Sequence, residues 1–147
     1  VVVDTHILAD AARAEKKEEQ NDAQRLIQDI IRKCPRLVFS EPQRDEAFPF
    51  FRKAGFLFPQ QTTKFLGDLE KSQKLVRLER YRMRELTSMA EEILVGHMKD
   101  DRHLYMAATQ YDKVVITQDP HLLANRETLK GATGVSTLSL AEALAAS

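Results

Sequence analysis

Acidic residues recur just beyond apolar runs in this sequence. Asp4 closes Val1-Val2-Val3, and Asp119 comes shortly after Val114-Val115-Ile116-Thr117. Glu46 falls in the second turn of a helix that Ser40 can open after Leu37-Val38-Phe39, and Asp101 heads the stripe Leu104, Ala107 and Ala108. A carboxylate at the mouth of a buried strand needs a partner or a task. Four of them in one pocket would repel and raise one another's pKa unless a cation compensated. An oxygen-only donor set favours Mg²⁺ or Mn²⁺ and disfavours zinc. Such an ion can activate water for attack on phosphorus and stabilise the leaving oxygen. The chemistry to which these residue types point is metal-assisted phosphoryl hydrolysis.

The elements that must position them follow from hydrophobic period and punctuation. Residues 1–4 predict a very short buried strand. Residues 10–22, dense in mixed charge, predict a solvated helix turn or loop. Leu26, Ile27, Ile30 and Ile31 recur at helical spacing over 23–33, and Pro35 stops the pattern. Residues 36–40 predict a second buried strand. Ser40 then caps a helix, with Pro42 in its first turn and Gln43 completing a capping box. Its apolar stripe is Ala47, Phe50, Phe51 and Ala54, with a kink or break expected at Pro49. After Gly55 and Pro59, residues 62–71 predict a helix, 74–78 an edge strand, and 83–97 a long helix that Gly96 helps to end. A helix from Asp100-Asp101 carries Leu104, Ala107, Ala108 and Tyr111 inward, and residues 113–117, 134–138 and 139–146 give strand, strand and helix. Strands that alternate with helices define an α/β class with a mainly parallel sheet, in one domain spanning 1–147.

In such a sheet the ligand site lies beyond the carboxyl ends of the strands. Asp4 and Asp119 reach that edge directly, and Glu46 leans back over strand two. Asp101 begins a helix antiparallel to the strand it feeds, so its N-terminus returns to the same edge. Alternatives stand beside these assignments. Glu41 and Asp45 compete with Glu46, Asp100 competes with Asp101 as helix cap or outer acid, and Asp119 before Pro120 also suits a turn or cap. Ser40 suits a cap better than a nucleophile, since no base is placed for it. His6 and His103 lie where they could touch a substrate phosphate or base.

Composition narrows the classes. Lys plus Arg number 22 and Asp plus Glu 22, so the formal charge is zero, which weakens any case for tight sequence-blind binding to a polyanion. Six cations against Glu79 in residues 71–84, with Tyr81 interleaved, are the local exception: a phosphate-steering stripe or simply a solvated face. Cys34 is the one cysteine and no secretory pattern or long apolar run occurs, so the chain reads as cytoplasmic, without a membrane span. The four histidines form no His-Glu-x-x-His pattern.

Taken together, Val1-Val2-Val3-Asp4-Thr5-His6-Ile7-Leu8, Phe39-Ser40 through Glu46, Asp100-Asp101-Arg102-His103-Leu104-Tyr105-Met106-Ala107-Ala108 and Val115-Ile116-Thr117-Gln118-Asp119 resemble, in order, the four acidic motifs of PIN-domain nucleases, with a flavour closest to the VapC-like toxins. The resemblance covers nearly the whole chain. It implies a three-layer α/β/α sandwich of strand order 3-2-1-4-5, with Asp4, Glu46, Asp101 and Asp119 around Mg²⁺ or Mn²⁺ and Thr117 lining the site. It further implies an endoribonuclease acting on RNA, a homodimer, and an inhibiting antitoxin as cognate partner. His6 stands where the family commonly has Asn, and Gln118 where a small residue or Asn is more usual. A competing expectation keeps the fold as an RNA- or protein-binding module with little turnover. An Asp-x-Asp phosphatase is disfavoured because position 6 is His, and a phosphoacceptor receiver because its acidic pair should follow strand one.

Overall fold

A computed structural model of the chain describes residues 1–56 and 63–146. Pro59 and Thr62, the punctuation and first residue of the helix expected over 62–71, lie outside the described residues. Among the described residues five strands, all paired in parallel, alternate with helices: β1 (Val2–Val3), β2 (Leu37–Ser40), β3 (Leu75–Leu78), β4 (Val114–Ile116) and β5 (Ser136–Leu138). They form a three-stranded sheet of order β1-β4-β5 and a two-stranded sheet β2-β3. A backbone bond from Val38 N–H to Val1 C=O, 2.8 Å, runs between the two.

Along the short strands the side chains alternate between two apolar cores. Val3, Leu37, Phe39 and Ile116 point into one, where they meet helices α1 (Thr5–Lys16), α2 (Asp22–Arg32), α3 (Glu41–Lys53) and α4 (Lys64–Lys71). Val2, Val38, Leu78 and Val115 point into the other, against α6 (Arg102–Thr109), which follows the short α5 (Ser88–Ile93), and against Leu122 and Leu129 of α7 (Pro120–Ala124) and α8 (Arg126–Thr133). The last helix, α9 (Leu140–Ala145), adds Leu140 and Ala143 to the first core. Helices therefore cover both faces of parallel strands, as a three-layer α/β/α fold requires. Full burial of each Leu, Ile or Val contributes about 1.5–3 kcal/mol, so truncating Leu8 or Leu104 to Ala costs about 2–5 kcal/mol. Among the described residues no helix is long and apolar enough to cross a membrane.

Five sequence expectations need correction. Residues 10–22 are not solvated throughout: α1 runs to Lys16 and buries Ala11, Ala12 and Ala14, small side chains that let α1 pack closely despite its charges. Pro49 does not interrupt α3, which continues through it to Lys53 with Pro49 on an exposed flank. Gln43 does not close a capping box, because its side chain turns away to Val3. The helix expected over 83–97 is cut to Ser88–Ile93: residues 83–87 are not helical, Thr87 Oγ1 caps the start by accepting Ala90 N–H, and Gly96, with a positive φ of 61°, opens the 3₁₀ turn Gly96–Asp101. The inward aromatic of α6 is Tyr105, whose hydroxyl is 2.7 Å from Thr137 Oγ1, while Tyr111 lies past the helix end and is exposed.

Candidate functional site

Strand β1 delivers Asp4 to the carboxyl edge. Its N–H continues the parallel ladder to Ile116 C=O, 2.8 Å, and the residue is only 3% exposed. From the end of β4, Thr117 donates its hydroxyl to Asp4 Oδ2 at 2.6 Å, while Thr117 Oγ1 itself accepts Asp119 N–H at 3.0 Å. Thr117 thus ties the two strand-end acids together. Burial pushes the Asp4 carboxyl above its ordinary range; the Thr117 bond and the charge of His6 oppose that shift, and nearby Glu46 adds to it.

Asp101 takes the N-cap position of α6 but makes no capping bond with its side chain, so its oxygens are not committed to that helix. Its pKa is pushed up to about 7, first by desolvation and then by Asp4, Asp119 and Glu46, with His103 pulling it down. The three carboxylates that act on Asp101 are the other three acids expected from the sequence. They come from β1, α3 and the β4 exit, and topology brings their charges within reach of one another.

Glu46 Oε2 lies 2.7 Å from His103 Nε2, a contact between α3 and α6 in which Glu46 is 34% exposed and His103 13%. The competing acids turn elsewhere: Asp45 Oδ2 is 3.4 Å and Glu41 Oε1 3.9 Å from the Arg80 guanidinium. Asp100 is exposed in the 3₁₀ turn Gly96–Asp101. Asp119 takes the cap role, its Oδ1 accepting His121 N–H at 2.8 Å to start α7, while its charge also acts on Asp101. Ser40 is buried and caps α3 by accepting Gln43 N–H at 3.3 Å. His6 is exposed, its ring edge-on to Phe50 with centroids 5.1 Å apart.

Gln43 escaped the sequence reading as a site residue. Its amide Nε2 donates to Val3 C=O just before Asp4, fixing α3 against β1, and its buried Oε1 has no hydrogen-bond partner. Thr5 Oγ1 and His103 Nδ1 are likewise buried without one. The Ser40-x-x-Gln43 spacing marked Gln43 as a cap residue, and nothing local in the sequence distinguishes a side chain that turns back from one that reaches across to another strand.

By chemistry the donors fit a hard cation: all are carboxylate oxygens, one is nearly sealed from water, and the charges that weigh most on Asp101 are negative. As they stand, no three His, Cys, Asp or Glu among the described residues are drawn together into a group that could hold a metal ion. Fold and site define an α/β chain with an acidic site at the carboxyl edge of parallel strands. No family model, curated protein or solved structure matches the chain.

Proposed function

We propose that this chain is a Mg²⁺- or Mn²⁺-dependent endoribonuclease of PIN type, hydrolysing RNA phosphodiester bonds at Asp4, Glu46, Asp101 and Asp119. The observation that carries the reading is the raised pKa of Asp101, for which Asp4, Asp119 and Glu46 are the causes after burial. Like charges gathered at a half-buried edge are costly and are relieved by a bound divalent cation. We read the two sheets as one of order 3-2-1-4-5, supported by the Val38 to Val1 bond that runs between β2 and β1. The same resemblance makes the chain a cytoplasmic toxin of a toxin-antitoxin pair, acting as a homodimer.

When bound, the ion supplies a nucleophilic water at neutral pH and neutralises phosphate charge. The chain's own residues do the positioning. Thr117 fixes the direction of Asp4 and the backbone of Asp119. His103 holds Glu46, and the α7 cap sets Asp119 Oδ1. Asp101 holds a proton near neutrality in the absence of the ion and must surrender it to act as a ligand.

The test is cleavage of a panel of structured and single-stranded RNAs with Mg²⁺, Mn²⁺ or EDTA, comparing wild type with Asp4→Asn. Cleavage that needs metal and disappears in the variant supports the assignment; full cleavage by Asp4→Asn overturns it. A second reading, an RNA- or protein-binding module with little turnover, draws on Asp119 Oδ1 being engaged as a cap and on the lack of a gathered ligand group among the described residues. Binding of RNA that stays intact with Mn²⁺ selects that reading.

A further inference from the structure

The basic stretch 71–84 divides once its side chains are placed. Arg77 reaches Glu70 at 3.3 Å and Arg80 lies between Asp45 and Glu41, so these charges are answered within the fold. Tyr81 is different. It is 76% exposed, sits in the 3₁₀ turn Arg80–Arg82, and has the Arg82 guanidinium carbon 5.5 Å from its ring centroid. An aromatic ring displayed on a wandering loop would mean little, but this turn is braced on both sides. Arg80 N–H donates to Glu41 Oε2 at 3.3 Å; Gln110 Nε2 donates to Arg82 C=O at 2.9 Å, and Gln110 Oε1 accepts Arg84 N–H at 2.9 Å.

Its place in the fold matters as much. Leu78 ends β3 level with Ser40 at the end of β2, so the chain leaves the sheet at the carboxyl edge and then runs back along α6, where Arg82 meets Gln110 at the helix's C-terminal end. Arg80 contacts Asp45, the chain neighbour of Glu46. A polyanion approaching four carboxylates is repelled, and a chain of zero net charge provides no general attraction, so attraction must come from local cations.

We propose that Tyr81 and Arg82 form a subsite for single-stranded RNA on the turn that leads away from the acidic edge, an unpaired base stacking on the Tyr81 ring and a backbone phosphate meeting Arg82. The choice of RNA rests on the nuclease reading above. Stacking on an exposed ring requires a base that is not already stacked within a duplex, which selects single strands. The guanidinium against the ring supplies phosphate and cation–π contacts together.

The experiment measures binding of a labelled single-stranded RNA oligonucleotide by fluorescence anisotropy, in EDTA so that nothing is cut, for wild type, Tyr81→Ala, Tyr81→Phe and Arg82→Ala. Lys130→Ala, on α8, controls for simple loss of a positive charge. Tyr81→Ala is expected to weaken binding roughly tenfold to a hundredfold, and Tyr81→Phe, which keeps the ring, by no more than about twofold. Arg82→Ala weakens binding and lowers the slope of log affinity against log salt by about 0.7, the value for one phosphate contact on a single strand. A duplex of the same sequence binds less tightly and ignores Tyr81→Ala. Unchanged binding by Tyr81→Ala, or an equal loss in Lys130→Ala and Arg82→Ala, overturns the subsite, as does a Tyr81-dependent preference for an acidic peptide over RNA. Unchanged melting temperatures, expected for so exposed a ring, show that the variants fold. Tyr81-dependent binding without cleavage in Mn²⁺ removes the nuclease reading and leaves the subsite standing; cleavage with binding indifferent to Tyr81 does the reverse.

Discussion

Asp101 carries a proton that the unfolded chain would release. Its carboxyl titrates near 3.8 when unperturbed and at about 7 in the fold, so between these values the native state binds more protons than the unfolded state and stability falls as pH rises. The loss is complete above about 7, and Asp4, raised in the same direction by burial, adds to it. Discounted for water reaching the half-buried side chain, the Asp101 contribution is about 1–2 kcal/mol between pH 5 and 8. In EDTA the melting temperature should therefore drop across that range, and Asp101→Asn should flatten the profile. Added Mn²⁺ should raise the melting temperature more at pH 8 than at pH 5, because binding must displace the proton at the lower pH. A flat wild-type profile would remove the charge crowding on which the proposed function rests. His103 makes a second, independent case. Its Nε2 reaches Glu46 while its Nδ1 has no partner, so its role toward Glu46 is carried by one nitrogen. His103→Gln, which can place an amide nitrogen near that point, should retain Mn²⁺ affinity by calorimetry better than His103→Ala, which should lose roughly tenfold or more.

At the scale of elements, every strand expected from apolar runs is present within a residue or two, because a β-branched run bounded by polar residues has few other ways to be buried. The helices were less legible where their evidence was weak or shared. Alanines in α1 look unremarkable beside Lys16 and Lys17, yet a helix packed on a sheet needs only small inward residues. The shortening of the 83–97 helix turns on Thr87 and Gly96, single residues outweighed in a periodicity count by the apolar positions around them. Helices α7 and α8 were not anticipated, since Asp119-Pro120 reads equally as a turn and the α8 stripe is thin, with Leu129 its buried residue. Gly134 ends α8 with φ of 74°, its N–H bonded to Lys130 C=O at 2.8 Å. A Cβ there would meet only the far end of the Lys113 side chain at 3.9 Å, so space is ample and the penalty is conformational. Gly134→Ala should cost about 1 kcal/mol in urea unfolding with an unchanged m-value. A larger loss would mean that the helix end bears on the β5 edge as well.

For the whole molecule the question is whether two sheets behave as one. The sequence assigns the four acids to one edge because a parallel α/β topology has only one edge at which a strand-end Asp and a helix-start Asp can meet. How that edge is held together could not be read, because it depends on contacts between residues distant in the chain. Three such contacts among the described residues cross from the β2-β3 side to β1: Val1 N donating to Arg36 C=O at 2.6 Å, the Val38 N–H to Val1 C=O bond, and the Gln43 side chain on Val3 C=O. The acids divide along the same seam, with Glu46 on α3 and Asp4 and Asp119 on β1 and the β4 exit. If the seam is stable, the site is preorganised on one rigid body; if it opens locally, Glu46 leaves the other acids. Replacing Gln43 by Leu removes the amide that satisfies Val3 C=O in a buried place, which should cost about 1–3 kcal/mol. Hydrogen exchange then decides how that cost is distributed. In a single cooperative domain the Val38 and Ile116 amides exchange with the same free energy in wild type, and both fall equally in Gln43→Leu. If Val38 alone becomes labile, the two sheets are separate cooperative units, and Glu46 is held near Asp4 only while the seam is closed.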